Sequence, residues 1–180
     1  MTMTAAVYSP TARLLHWLTA IAVLAAIPLS IAMNNVPSGP VQNTLYDLHR
    51  SFGALILLLV LIRLPYRLFA GAPPPEPSMP RWQLGLSHAV HWLLYLFLLA
   101  MPIAGWVGTS AFGAPIIVFG LFELPPIVEK NEALAKAVLG WHATAGLVMG
   151  GLVLIHIAAA LYHRFVRHDG VLARMLPSAG

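Results

Sequence analysis

Four stretches of this chain, residues 14–33, 48–69, 84–107 and 138–162, are each apolar over about 20 residues or more. That is the length a helix needs to cross a hydrocarbon core about 30 Å thick at about 1.5 Å per residue. Lipid offers the backbone no hydrogen-bond partners, so runs of this kind satisfy their own N–H and C=O groups as helices. Short connections make consecutive spans antiparallel neighbours. The expected fold is therefore an all-α integral membrane protein, an up-down-up-down four-helix transmembrane bundle, with residues 1–180 forming a single domain. Composition agrees, with 59% hydrophobic and 9% charged residues and a mean hydropathy of +0.79. The opening residues MTMTAAVYSP carry no basic segment and no cleavage site of small residues follows, so the first span is expected to remain as a helix.

Basic residues predict orientation, because Lys and Arg collect in short cytoplasmic loops. Arg13 precedes the first span, Arg63, Arg67 and Arg81 lie around the second connection, and Arg164, Arg167 and Arg174 follow the fourth span. The other connections hold Arg50, Lys130 and Lys136 against Asp47, Glu123, Glu129 and Glu132. Both termini are expected in the cytoplasm. The net charge of +4 follows this asymmetry and suits contact with anionic lipid, with no nucleic-acid partner.

The connections differ in kind. The segment AGAPPPEPSMP (70–80) predicts an extended, semi-rigid crossover. Residues 108–139 carry glycine and proline breakers, then the short amphipathic piece NEALAKAVLG, and are expected to cap the outer face of the bundle. The tail LARMLPSAG offers little docking surface. Pro28 and Pro102 lie inside spans, where neighbouring helices can satisfy the freed carbonyls at the cost of a kink.

With no cysteine in the chain, disulfides, iron–sulfur clusters and thioether-linked haem are excluded, and metal chemistry must rest on the eight histidines. His142 and His156 stand fourteen residues apart in the fourth span. That interval turns a helix through about 1400°, within about 40° of whole turns, and advances it by about 21 Å. Both rings therefore leave one face at two depths. An intramembrane histidine is costly and marks a functional site whose partner should be sought at the same depth. For His142 that partner is His49; for His156 it is His16, His88 or His91. Pairs of imidazoles from opposing helices describe axial ligation of a flat macrocycle, most simply two stacked b-type haems. Gly140, Gly146, Gly150 and Gly151 admit close approach of either a neighbouring helix or such a cofactor. A zinc site would gather three or four ligands at one depth, and a proton relay would use buried carboxylates. The spans supply no acid at mid-depth for either. His163 and His168, at a span end, read as interfacial polar residues.

The blocks 15-LHWL-18, 47-DLHRSFG-53, 85-GLSHAVHWLLY-95, 141-WH-142 and 154-LIHIAAALYH-163, in this order on four spans, resemble the prokaryotic cytochrome b561 family. That family is akin to the haem-b subunits of nickel–iron hydrogenases and formate dehydrogenases. The likeness covers about Ser9 to Pro177. The resemblance implies that His16 and His156 ligate an inner haem b, and His49 and His142 an outer one. It makes His88 and His91 candidates for a ubiquinone site beside the inner haem, or else helix-entry residues bonded to headgroups or propionates. Arg13, one turn from His16, and Arg50, beside His49, become candidate propionate partners. Trp17, Trp92 and Trp141 read as belt anchors or packing surfaces.

The function implied is a di-haem membrane electron carrier linking a periplasmic one-electron donor to the ubiquinone pool. Superoxide is one such donor among relatives in this family, which would make the chain a superoxide:ubiquinone oxidoreductase. The outer connections, with three bases against four acids, do not by net charge favour an anionic donor. The alternative is a haem-b anchor subunit fed by a separate periplasmic dehydrogenase docked on residues 108–139. A haem-free transporter is the reading from another class, and a colourless preparation would distinguish it.

Overall fold

A computed structural model describes residues 7–176. Helix α1 spans Pro10–Met33, α2 Pro40–Ala70, α3 Arg81–Phe112 and α4 Glu132–Phe165, with a two-stranded hairpin, β1 Ile116–Val118 and β2 Phe122–Leu124, between α3 and α4. All four helices are long and apolar enough to cross a membrane. Their 24 to 34 residues correspond to about 36–51 Å, so they project beyond the hydrocarbon. Each starts or stops on a local signal. Ser9 accepts the Ala12 N–H ahead of Pro10, Asn131 accepts the Leu134 N–H ahead of Glu132, and Gly113, at φ 83°, ends α3 in the left-handed conformation.

α1 packs along α2 and α3 along α4, and the two pairs meet chiefly through α2 against α3. The core runs down this seam through Leu15, Val23 and Ala26 of α1, Ile56, Leu59 and Val60 of α2, Leu98 and Met101 of α3, and Ala145 and Met149 of α4. Outward positions are as apolar as inward ones: Leu147 is 76% and Leu154 68% exposed. In water such a surface would be a liability, whereas in lipid it is the ordinary condition of a spanning helix.

The helices are longer than the apolar windows predicted, because hydropathy registers lipid-facing residues and not the polar turns that continue a helix into the interface. At α4 the difference also reassigns a segment. NEALAKAVLG is no separate piece but the first turns of α4 itself, since Asn131 caps the helix directly. The rest of the connection is a hairpin with register Ile116 to Leu124 and Val118 to Phe122. It does lie over one end of the bundle, which is called the hairpin end here. Ser51 of α2, 1% exposed, accepts the Phe119 N–H at 2.9 Å and donates to the Asp47 carbonyl at 2.7 Å. The Phe119 ring meets Phe52 edge-on at 5.4 Å. These contacts hold Phe119 at φ 48°, a conformation uncommon for a residue with a side chain.

At the opposite end, where α1 begins and α4 finishes, the tail folds back over the molecule. Arg167 donates to the Ser78 carbonyl, and Arg174 to the Pro74 carbonyl and the Glu76 carboxylate, fastening the tail to the proline-rich crossover. Trp17 and Arg13 of α1 donate to the carbonyls of Met175 and Leu176. His163, buried, donates Nδ1–H to Asp169 at 2.6 Å. The short tail is thus an internal clasp.

Candidate functional site

The face of α4 that carries Ala145 and Met149 into the core also carries His142 above them and His156 below. At the hairpin end His142 meets His49 of α2, with ring centroids 6.1 Å apart and planes at 90°. Two imidazoles on opposite sides of one metal ion are separated by two bonds of about 2.0 Å plus their ring radii, which places the centroids roughly 6 Å apart. His49 donates Nδ1–H to the Ala26 carbonyl at 3.0 Å, and this fixes the neutral tautomer whose Nε2 lone pair is free. The His142 ring lies against Gly105 of α3, where an added Cβ would come within 3.2 Å of its Cε1. Its Nδ1 is buried without a hydrogen-bond partner among the described residues.

The terminal end holds a larger cluster. His156 lies 6.2 Å from His16 of α1, with planes at 67°, and 5.3 Å from His91 of α3, with planes at 80°. His91 donates Nδ1–H to the Ser87 carbonyl at 2.6 Å. His16 is different: its Nδ1 accepts from Nη2 of Arg63 at 2.8 Å. Arg63 in turn lies over the Tyr95 ring, 5.3 Å from its centroid. Of the three histidines that sequence left open as partners of His156, the fold therefore brings two, His16 and His91, to its ring. His88 is exposed and makes no such ring contact among the described residues.

The two arginines singled out from sequence are engaged with the protein. Arg13 donates to the Leu176 carbonyl at 2.7 Å. Arg50 pairs with Asp47 at 3.3 Å, reaches the Pro115 carbonyl and lies over the Tyr46 ring. Sequence reasoning passed over Gly105 and took Arg63 only as a marker of orientation. Arg63 carried a signal all the same: it lies inside an apolar window, fourteen residues after His49, the same interval that separates His142 from His156. Gly105 carried none, since its value lies in which ring α4 sets against it.

Two imidazole pairs at two depths, each at the spacing of shared axial ligation, fit a b-type haem. The family model for prokaryotic cytochrome b561 matches residues 7–178. The chain is 31% identical over 163 residues to a Yersinia pestis protein named probable superoxide oxidase CybB, covering 91% of this chain and 92% of the relative. It is 32% identical over 169 residues to cytochrome b561 homolog 2 of Escherichia coli K12, covering 89% and 86%. Cytochrome b561 homolog 1 of the same organism is 27% identical over 171 residues, covering 94% and 97%. The chain belongs to the prokaryotic cytochrome b561 family and is a multi-pass bacterial membrane protein that carries electrons on haem b.

Proposed function

We propose that the chain holds two haems b, one between His49 and His142 and one between His16 and His156, and links a periplasmic one-electron donor to the ubiquinone pool across the inner membrane, with both termini cytoplasmic. The observation that carries this reading is the recurrence of one geometry: centroid separations of 6.1 and 6.2 Å at two positions about 21 Å apart along α4. Bound haem supplies the one-electron couple, and the protein's residues set where that couple sits. His16 is preferred to His91 as the ligand opposite His156, because 5.3 Å is shorter than a shared metal would leave between two rings. His91 then stands beside the centre, with Nδ1–H held by Ser87 and Nε2 free to accept a proton or a hydrogen bond from a reduced quinone. On this reading Ala26 orients His49, Gly105 makes room for His142, and the clasp formed by the tail screens the terminal end from water.

Superoxide is proposed as donor on the strength of the Yersinia relative's name. Arg50, the base nearest the hairpin-end pair in sequence, is already matched by Asp47, so steering of an anion by this arginine is weak. Purified protein in nanodiscs should show a reducible b-type spectrum in two potentiometric steps, one of which shifts when ubiquinone is added. Reduction by pulsed superoxide should outrun spontaneous dismutation. A single step, or a colourless preparation from haem-replete cells, sinks the two-haem reading. If only superoxide fails, a separate dehydrogenase becomes the donor, and a partner should co-purify.

A further inference from the structure

Arg63 and Arg67 are four residues apart on one face of α2, at the terminal end, with their side chains half-buried. Arg63 lies over Tyr95 and Arg67 over Tyr8, with 5.6 Å between guanidinium and ring centroid in the second pair. Nη1 of Arg67 is buried with no hydrogen-bond partner among the described residues. The chain has six acidic side chains, and none lies within ion-pair distance of either arginine. Asp47, Glu76 and Asp169 are engaged by Arg50, Arg174, and His163 with Arg167; Glu123, Glu129 and Glu132 belong to the hairpin end. Two guanidinium groups in a spanning helix without a counter-charge among the described residues are costly, which calls for an anionic partner.

A second observation says when that anion arrives. Arg63 donates to Nδ1 of His16, so this nitrogen carries the lone pair and the proton is on Nε2. A neutral imidazole bound to a metal through Nε2 carries its proton on Nδ1 and can only donate there. A guanidinium has no acceptor. The bond between Arg63 and His16 therefore cannot persist once His16 ligates, and Arg63 needs a new acceptor close by.

We propose that Arg63 and Arg67 form a binding site for the carboxylates of the group held at the terminal end, with Arg63 passing from His16 to a propionate when the site is loaded. The inference rests on the reading that a haem sits between His16 and His156. The guanidinium fork suits a carboxylate, and the cost of an unmatched charge in lipid falls when the two meet. A lipid phosphate offers the same oxyanion chemistry, so the test separates the two sources.

The protein is produced in a haem-deficient host supplied with either protohaem or its dimethyl ester, as the unsubstituted chain and as Arg63→Gln, Arg67→Gln and Arg63→Lys. Retention of each haem against a haem scavenger and the potential of each are read, with the hairpin-end haem as internal control. With protohaem, each glutamine variant is expected to weaken retention at the terminal end by about tenfold, the loss of one charge-assisted hydrogen bond. It should also lower that potential, since removing a nearby cation favours the ferric state. Arg63→Lys should recover most of the potential. With the ester, all four proteins should retain the terminal-end haem equally, because the carboxylates that the arginines would hold are gone. Equal losses with acid and ester would overturn the proposal and assign the pair to lipid phosphate or to the fold. Should a variant fail to fold, the unsubstituted chain still decides, for it must hold the ester less tightly than the acid at the terminal end only. A protein with no terminal-end haem at all would fail the two-haem reading itself, a result distinct from equal losses.

Discussion

The hairpin end and the terminal end carry histidine pairs of nearly equal separation, 6.1 and 6.2 Å, and differ in what surrounds them. At the hairpin end His49 already presents a free Nε2, held by its bond to Ala26, and His142 rests on the bare backbone of Gly105. At the terminal end His16 is turned to Arg63, and a third histidine crowds the same ring of His156. On the proposed reading, that end must exchange a partner to be loaded. The difference, on that reading, separates a centre that would only hold its group from one that would hold a group and meet a second reactant.

The comparison breaks most directly at the histidines. His142→Ala is expected to remove the hairpin-end haem and leave the other, while His156→Ala does the reverse; haem content and the reduced-minus-oxidised spectrum report both. If either change emptied both sites, the two ends would be one folding unit. Glycine substitutions on α3 sharpen the picture at smaller cost. At Gly108 a Cβ would stand 2.6 Å from Leu139 Cδ2, so Gly108→Ala overpacks the α3–α4 seam and should lower stability by about 1–3 kcal/mol in thermal denaturation. At Gly105 the contact is with the His142 ring itself, at 3.2 Å, and Gly105→Ala should shift the electron paramagnetic resonance signal of the hairpin-end haem alone. Ser51→Ala strips the Phe119 N–H of its acceptor, with an expected loss of about 1–3 kcal/mol. Faster hydrogen exchange should appear across residues 116–124 and not in the tail.

The smallest expected effect lies in acid. Burial alone would raise the Asp169 carboxyl, but the N–H groups of His163 and Val171, and Arg167, outweigh it and hold the group below its ordinary value. Its stabilising contribution is then complete above the unfolded value of about 3.9 and is lost as pH falls through the lower folded value. Exchange in residues 167–176 should stay slow at neutral and mildly acid pH and quicken only below about pH 4. Quickening already at pH 6 would contradict this assignment.

Periodic features were legible in the sequence because they repeat along one helix. Lipid-facing apolarity marked four spans, and the interval between His142 and His156 put both on one face of α4, where they stand. What could not be read depends on juxtaposition between helices. No local pattern says that Gly105 faces His142, that Arg63 reaches His16 across the α1–α2 seam, or that Ser51 will serve a hairpin turn. The fusion of NEALAKAVLG with α4 was missed for a different reason: a polar first turn lowers hydropathy without weakening the helix, and Asn131 is the cap that signals it.

The tail bears on the order in which the protein is made. Met175 and Leu176 hold Trp17 and Arg13, and Arg174 holds the crossover between α2 and α3, yet these residues are synthesised after all four helices. Until they emerge, the start of α1 lacks this cover, so His16 stays reachable from that end while the helices are being made. The hairpin end can close earlier, as soon as α4 has entered the bilayer. On the two-haem proposal, biogenesis would fill the hairpin-end centre first, and the clasp would set the moment after which the terminal-end centre no longer exchanges.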